Sequence, residues 1–508
     1  MRKYLLAFVL LISGLAAPSV ALAQEESRPE LTVRLHFGRP GGIFDPAYWQ
    51  YTPDWFVYPN IFNGLVRWVP GTGGSQLEPD LAESWEVSED GTVYTFHLRE
   101  GIQFHRDYGE LTSEDVVFTF DRQLQDETAS FNSQLADIVD VSAPDRYTVQ
   151  ITLAQPSASF LATIVAYRPG LVVSKRAIEE LGEDFNTSPI GTGAFVFEER
   201  TASDEIVLVS NDGYFRGPPE VAKLTFAHIG EEQVAVAALQ RDEFQIIWTR
   251  GNPEAITALQ ADPEISVEVN TVPSSVRHIA FSPNFEPTRD PEVRRALAYA
   301  LDKTLIEQAL PNLEVPAHVV YFDDPGEVPT YDYDPELARE MLAAAGYPDG
   351  FAVTIMFQTR PPEAILAELV AASWEAIGLD VTLEGIDAVS AFDRRNALDF
   401  EVHTTSVGRP DPDLLFTSLF LSTSLPPGGS NYIGYDAIDD LILAARRTND
   451  PQERNDLYNQ AHRQVMIDLP IIPLSYQAFA VAWREPVVGM KHGLNNNFWG
   501  ETIQIGTD

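Results

Sequence analysis

The chain reads as an α/β protein of two lobes, with an antiparallel α+β portion in the first, and three observations predict this. The second half alternates helix and strand signals and contains a β-α-β unit. The first half carries hairpin signals. The last thirty residues do not make a domain of their own and are expected to return to the first half, so the chain crosses between the halves twice. Two lobes joined by two crossings make a hinge. At 508 residues the chain has length for several cores.

Taken in order, the sequence starts with a segment outside that fold. Arg2 and Lys3, an apolar run over 4–17 and the small-residue Ala21-Leu22-Ala23 are the three parts of a secretory signal peptide, cleaved after Ala23. No later stretch is apolar enough to span a bilayer. There is no cysteine, which excludes disulfides and a lipid-modified N-terminal cysteine. A periplasmic protein that is not a lipoprotein is the expectation. Removing residues 1–23 takes away two cations and no acid, leaving 32 Lys and Arg against 75 Asp and Glu, a charge of −43. Such a field repels nucleic acid and anionic headgroups and favours a soluble monomer.

Residues 31–37 alternate as a strand and break at Gly38-Arg39-Pro40-Gly41-Gly42. Tyr48, Trp49, Tyr51, Trp55, Phe56 and Tyr58 follow within eleven residues, a density that fits a core or, beside a glycine-rich turn, a pocket wall. Residues 84–99 are a hairpin turning at Asp90-Gly91. Thr112-Ser113-Glu114-Asp115 is a capping box, and the helix it opens carries Val116, Val117, Phe120 and Leu124 on one face. Residues 147–153 alternate as a half-buried strand, and more strands follow the Gly-Thr-Gly at 191–193.

Beyond about residue 270 the rhythm changes. Asp290-Pro291, Asp334-Pro335 and Asp450-Pro451 each place a capping acid before a proline suited to the first helical turn. Val293, Leu297 and Leu301 form one apolar stripe, Leu457, Ala461 and Val465 another. Gly346 sits where the helix begun at Pro335 should end. A strand over 351–357, a helix over 361–377 ending at Gly378 and a strand over 379–383 form the β-α-β unit, which implies parallel pairing. His403–Phe420 is a further strand-to-helix connection. Its strand stops at Gly408, Arg409-Pro410-Asp411-Pro412 forces a turn, and a helix starts by Leu414. Connections of this kind lie outside the carboxyl ends of the strands, where open α/β sheets bind ligands.

Several blocks carry a resemblance. They are Asn60-Ile61-Phe62-Asn63-Gly64-Leu65-Val66, Glu78-Pro79-Asp80-Leu81-Ala82-Glu83-Ser84-Trp85, the run from Tyr94 to His105, Pro189-Ile190-Gly191-Thr192-Gly193, the run from Val293 to Lys303, and Ala344-Ala345-Gly346-Tyr347-Pro348. In this order they resemble the bacterial solute-binding family that contains the dipeptide-, oligopeptide- and nickel-binding proteins of ABC importers. The resemblance covers nearly the whole mature chain. It implies the two-lobe periplasmic binding protein fold, with 24–272 as the first lobe, completed by 478–508, an extra subdomain over about 60–185, and 273–477 as the second lobe. It also implies ABC permease membrane subunits with a cytoplasmic ATPase as partners.

Ligand contacts carry over only where the pattern matches. In peptide-binding members an aspartate at the strand end of the 403–420 stretch anchors the ligand α-amino group. The matching position here is Gly408, so that acid is absent, and Asp411 serves only if the register shifts. Gln358-Thr359-Arg360-Pro361 resembles the segment that holds the ligand carboxylate in dipeptide binders, which makes Arg360 the candidate anion clamp, since a guanidinium fork suits carboxylate or phosphate. Arg409 is a candidate second cation, and Tyr476, Tyr48 and Trp49 are candidate wall residues. His97 and His105 have the look of a metal pair, yet their strand setting marks them as structural.

The resulting expectation is a non-catalytic receptor for a peptide-like or other anionic small solute, with opines, sugar phosphates and metal chelates as alternatives and no cofactor. A secreted hydrolase is the competing class. Against it stand the lack of Gly-x-Ser-x-Gly, of His-Glu-x-x-His and of any cysteine nucleophile.

Overall fold

Seven strands build a first sheet, in the order Ile265–Asn270, Phe479–Arg484, Ile246–Thr249, Glu30–Leu35, Lys223–His228, Ile206–Ser210 and Phe195–Arg200. Six build a second, in the order Glu314–Pro316, Ile471–Gln477, Val276–Phe281, Val402–Val407, Ala352–Gln358 and Asp380–Ile386. This computed structural model describes residues 28–506 apart from 36–42, 49–55, 72–75, 158, 167, 230, 250–252, 271–274, 312, 322–325, 360–361, 409–410, 427–428, 449 and 492–497. The chain leaves the first sheet after Ile265–Asn270 to enter Val276–Phe281. It returns from Ile471–Gln477 to Phe479–Arg484 with one residue, Ala478, between. Among the described residues no helix is long and apolar enough to cross a membrane.

The β-α-β unit forms as its periodicity demands. Ala352–Gln358 and Asp380–Ile386 pair in parallel around the helix Glu363–Glu375, which is shorter at both ends than the 361–377 pattern suggests. All three Asp-Pro starts are helix starts. The Asp290 carboxylate accepts from Glu292 N at 2.8 Å, Asp334 from Leu337 N at 2.9 Å, and Asp450 from Gln452 N at 2.8 Å. The helix Pro335–Ala344 ends before Gly346, whose φ of +98° is the left-handed turn that glycine makes without strain. Leu301 lies beyond its helix, which stops at Tyr299, and joins the core from the following turn.

In the first half, Ala82–Val87, Val93–Leu98, Thr148–Leu153 and Ile138–Asp145 form a separate four-stranded antiparallel sheet. The helix Ser113–Gln125 opens with the Thr112 amide donating to the Asp115 carboxylate at 3.0 Å. This sheet shares one apolar cluster with the seven-stranded sheet, running from Leu31 and Val33 to Phe96 and Val149. The two sheets therefore form one body. A second cluster, with Ile279, Ile355, Val402 and Trp374, fills the other lobe.

Of the aromatic cluster, Phe56 and Tyr58 are buried, with Phe56 edge-on to Trp248 at 5.5 Å; Trp49, Tyr51 and Trp55 lie outside the described residues. Gly191 and Gly193 let two backbones touch, because a Cβ on either would fall 2.0 Å from Ile61 O or 2.3 Å from Asn60 O. Asn60 also binds the returning end of the chain, accepting from Gly500 N at 2.7 Å and donating to Phe498 O at 3.0 Å. The Asn495-Asn496-Asn497 turn lies outside the described residues.

Candidate functional site

Strand direction locates the site. In the second sheet Val276 sits opposite both Val407 and Tyr476, so the carboxyl end of Val402–Val407 lies at the edge where both crossings leave. Ala352–Gln358 and Asp380–Ile386 run parallel to it and end on the same side. In the first sheet Thr249 sits opposite Ala480, and Asn270 opposite Phe479. Glu30–Leu35 and Lys223–His228, parallel to Ile246–Thr249, end there too. The carboxyl ends of both sets of parallel strands therefore converge on the hinge, the position where α/β sheets take ligands.

The second sheet also parts at this edge. Val402–Val407 pairs with Val276–Phe281 along all six residues, but with Ala352–Gln358 at only Ile355↔Val402 and Met356↔His403. From Thr404 to Val407 one backbone side has no strand beside it among the described residues. Such an edge can hydrogen-bond an extended ligand backbone.

Of the residues singled out by sequence, Gly408 directly follows this strand, half-buried. Arg360, Arg409 and Trp49 lie outside the described residues. Asp411 has a structural task. It caps the helix Pro412–Phe420, accepting from Asp413 N at 2.8 Å, and pairs with Arg454 at 2.6 Å, while burial raises its pKa. Tyr476 donates its hydroxyl to Val319 O at 2.8 Å, and its half-buried ring packs against the apolar cluster of the second lobe. Tyr48 donates to Asp126 at 2.6 Å beneath the Arg122 guanidinium, 5.6 Å from its ring centroid. His105 is buried, its Nε2 3.0 Å from Gly193 O, and burial lowers its pKa to about 4. Among the described residues no three His, Cys, Asp or Glu side chains are grouped to hold a metal.

Sequence reasoning missed the charged cluster that fixes this edge. Arg277 donates from Nε to Glu314 at 2.6 Å and from Nη1 to Glu363 at 2.8 Å, and Ser475 donates to Glu314 at 2.5 Å. Burial opposes the Arg277 charge, but the two carboxylates outweigh it and hold its pKa above the usual value; burial raises that of Glu314. Glu363 begins the helix after 360–361, Arg277 follows the first crossing and Ser475 precedes the second. The cluster thus ties the start of the helix Glu363–Glu375 to the hinge. Its signal was an arginine inside Val276–Phe281, a strand buried at every position, where an unpaired charge would be prohibitive.

On Val276–Phe281 and its neighbour Val402–Val407, His278 and His403 are buried and held neutral, burial pushing their pKa values down to about 3 and about 4. His403 Nδ1 lies 3.0 Å from Met356 O, which assigns the proton to that nitrogen.

Known proteins share this fold. The chain matches the model of the bacterial extracellular solute-binding proteins, family 5, over residues 76–426. It is 32% identical to the dipeptide-binding protein of Escherichia coli K12, covering 84% of this chain and 86% of that one. It is 30% identical to di/tripeptide-binding protein 2 of Pseudomonas aeruginosa UCBPP-PA14, covering 96% of each. The solved structure of the binding protein MoaA of A. tumefaciens R10, in complex with mannopinic acid, superposes with a TM-score of 0.81 at 27% identity, covering 95% of this chain and all of that one. With two α/β lobes, strand ends converging on a double crossing and a family match across most of its length, the chain belongs to the bacterial extracellular solute-binding proteins of family 5.

Proposed function

We propose that the chain is an exported, monomeric, non-catalytic receptor that captures a peptide-like anionic solute between its lobes and delivers it to the membrane subunits of an ABC importer. The lobes are 24–272 completed by 478–508, and 273–477, and the signal peptide directs the protein to the periplasm. The observation that carries the reading is the convergence of both sets of strand ends on the hinge. A solute held there touches both lobes at once, and only a ligand with differential affinity for the closed state can drive closure. Peptide-named relatives at 30 and 32% identity support a peptide-like solute, and the backbone edge over 404–407, with no strand beside it among the described residues, suits an extended amide chain.

Arg360 is the proposed clamp for the solute's anionic group, with Arg409 beside it. Gly408 offers no carboxylate to an α-amine, which favours a second reading, a modified amino acid of the opine type such as MoaA holds. Calorimetric titration with a dipeptide, its N-acetyl form and its C-terminal amide separates the readings. Binding should survive acetylation and be lost on amidation. Loss on acetylation alone would remove the Gly408 assignment, and unchanged binding in Arg360→Ala would remove the clamp.

A further inference from the structure

Asp413 lies in the first turn of the helix Pro412–Phe420, just beyond the strand end at the interlobe edge, and is only 4% exposed. Its carboxylate gathers donors from both lobes. Tyr458 and Thr417 donate to Oδ1 at 2.7 and 3.0 Å from within the second lobe. Ser159, 254 residues away in the first, donates to Oδ2 at 2.5 Å. Arg446 makes a second bridge, its Nε 3.6 Å from Asp413 Oδ1 and its Nη2 3.7 Å from Asp137 Oδ2.

Ser159 and Asp137 are fixed to the first lobe. Ser157 accepts the Tyr94 hydroxyl at 2.7 Å, Phe160 packs on the Tyr94 ring at 4.8 Å, and Asp137 O accepts from Ala154 N at 2.7 Å. Because the four-stranded and seven-stranded sheets share one core, these groups move with the first lobe as a unit. Tyr458, Thr417 and Arg446 belong to the second. The contacts Ser159–Asp413 and Arg446–Asp137 exist only while the lobes are together.

We propose that Asp413 and Arg446, with Ser159 and Asp137, form a latch that stabilises the closed arrangement and sets solute affinity without touching the solute. The proposal rests on the reading of a receptor whose lobes close. A carboxylate this buried needs its full set of donors, and the first lobe supplies one of them. Affinity scales with the fraction of molecules able to close, so an interaction made only in the closed state raises affinity for every solute alike.

The chain has no cysteine, so cysteines introduced at exposed Glu89 and Glu375, one per lobe, accept a dye pair without competition. Single-molecule energy transfer on the solute-free protein then reads the closed fraction. Ser159→Ala should lower the closed-to-open ratio by about tenfold, the scale of a hydrogen bond to a charged group. Arg446→Gln should lower it by roughly threefold, as a half-exposed pair allows. Transfer distributions in both variants identical to the parent's would overturn the latch. Adding a mixture of synthetic di- and tripeptides separates the two claims. If the variants open the protein and no peptide recloses it, the latch stands and the peptide reading falls.

Discussion

Arg277 and Arg446 are each flanked by two carboxylates, and their settings are opposite. Arg277 is 3% exposed, and Glu314 and Glu363 hold it at 2.6 and 2.8 Å within one lobe. Arg446 is 27% exposed, and its acids, Asp137 and Asp413, stand 3.7 and 3.6 Å away in different lobes. The same chemistry can therefore do two different jobs. A fully buried cluster cannot be broken cheaply, so it fixes the geometry of the edge it holds. A looser, half-wet one can break and re-form, as a moving interface requires.

Arg277→Met would break that contrast most severely. With the guanidinium removed from between two buried glutamates, the second lobe should lose about 3–5 kcal/mol in urea unfolding. The triple change Arg277→Met, Glu314→Gln, Glu363→Gln should recover much of it. A loss below about 1 kcal/mol in the single variant would mean that the cluster is wet and resembles Arg446.

The histidines on the same strands come next. Burial depresses the pKa values of His278 and His403 from 6.5 to about 3 and about 4, so as pH falls the unfolded chain takes up their protons first. Their contribution to stability is complete above pH 6.5 and is lost as pH falls toward about 4 for His403 and about 3 for His278. His403→Gln should flatten the wild-type decline over that window by up to about 1.4 kcal/mol per pH unit. Parallel wild-type and variant profiles would contradict the assignment.

Arg446→Gln should be the mildest, costing under about 1 kcal/mol of unfolding stability while still shifting the closed fraction. A large stability loss would place Arg446 with Arg277 as a fixed structural group.

The fold was legible where local chemistry decides it. The Asp-Pro helix starts, the Thr112 capping box and the β-α-β unit all formed, because caps and hydrophobic period act over a few residues. The candidate site was only partly legible. Asp411 was singled out for its chemistry, yet it caps a helix and pairs with Arg454, a partner 43 residues on that sequence spacing does not reveal. Ser159 and Asp413 become neighbours only through tertiary structure. Arg277 alone carried a usable sign, a charge in an otherwise buried strand.

Native mass spectrometry of the natively purified protein, followed by denaturation and identification of whatever is released, tests the central claim most directly. The account predicts a small anionic molecule bound at close to one per chain. Protein that carries no molecule, and whose melting temperature rises with no peptide or opine, would contradict it, since a ligand that binds only the folded state must stabilise it.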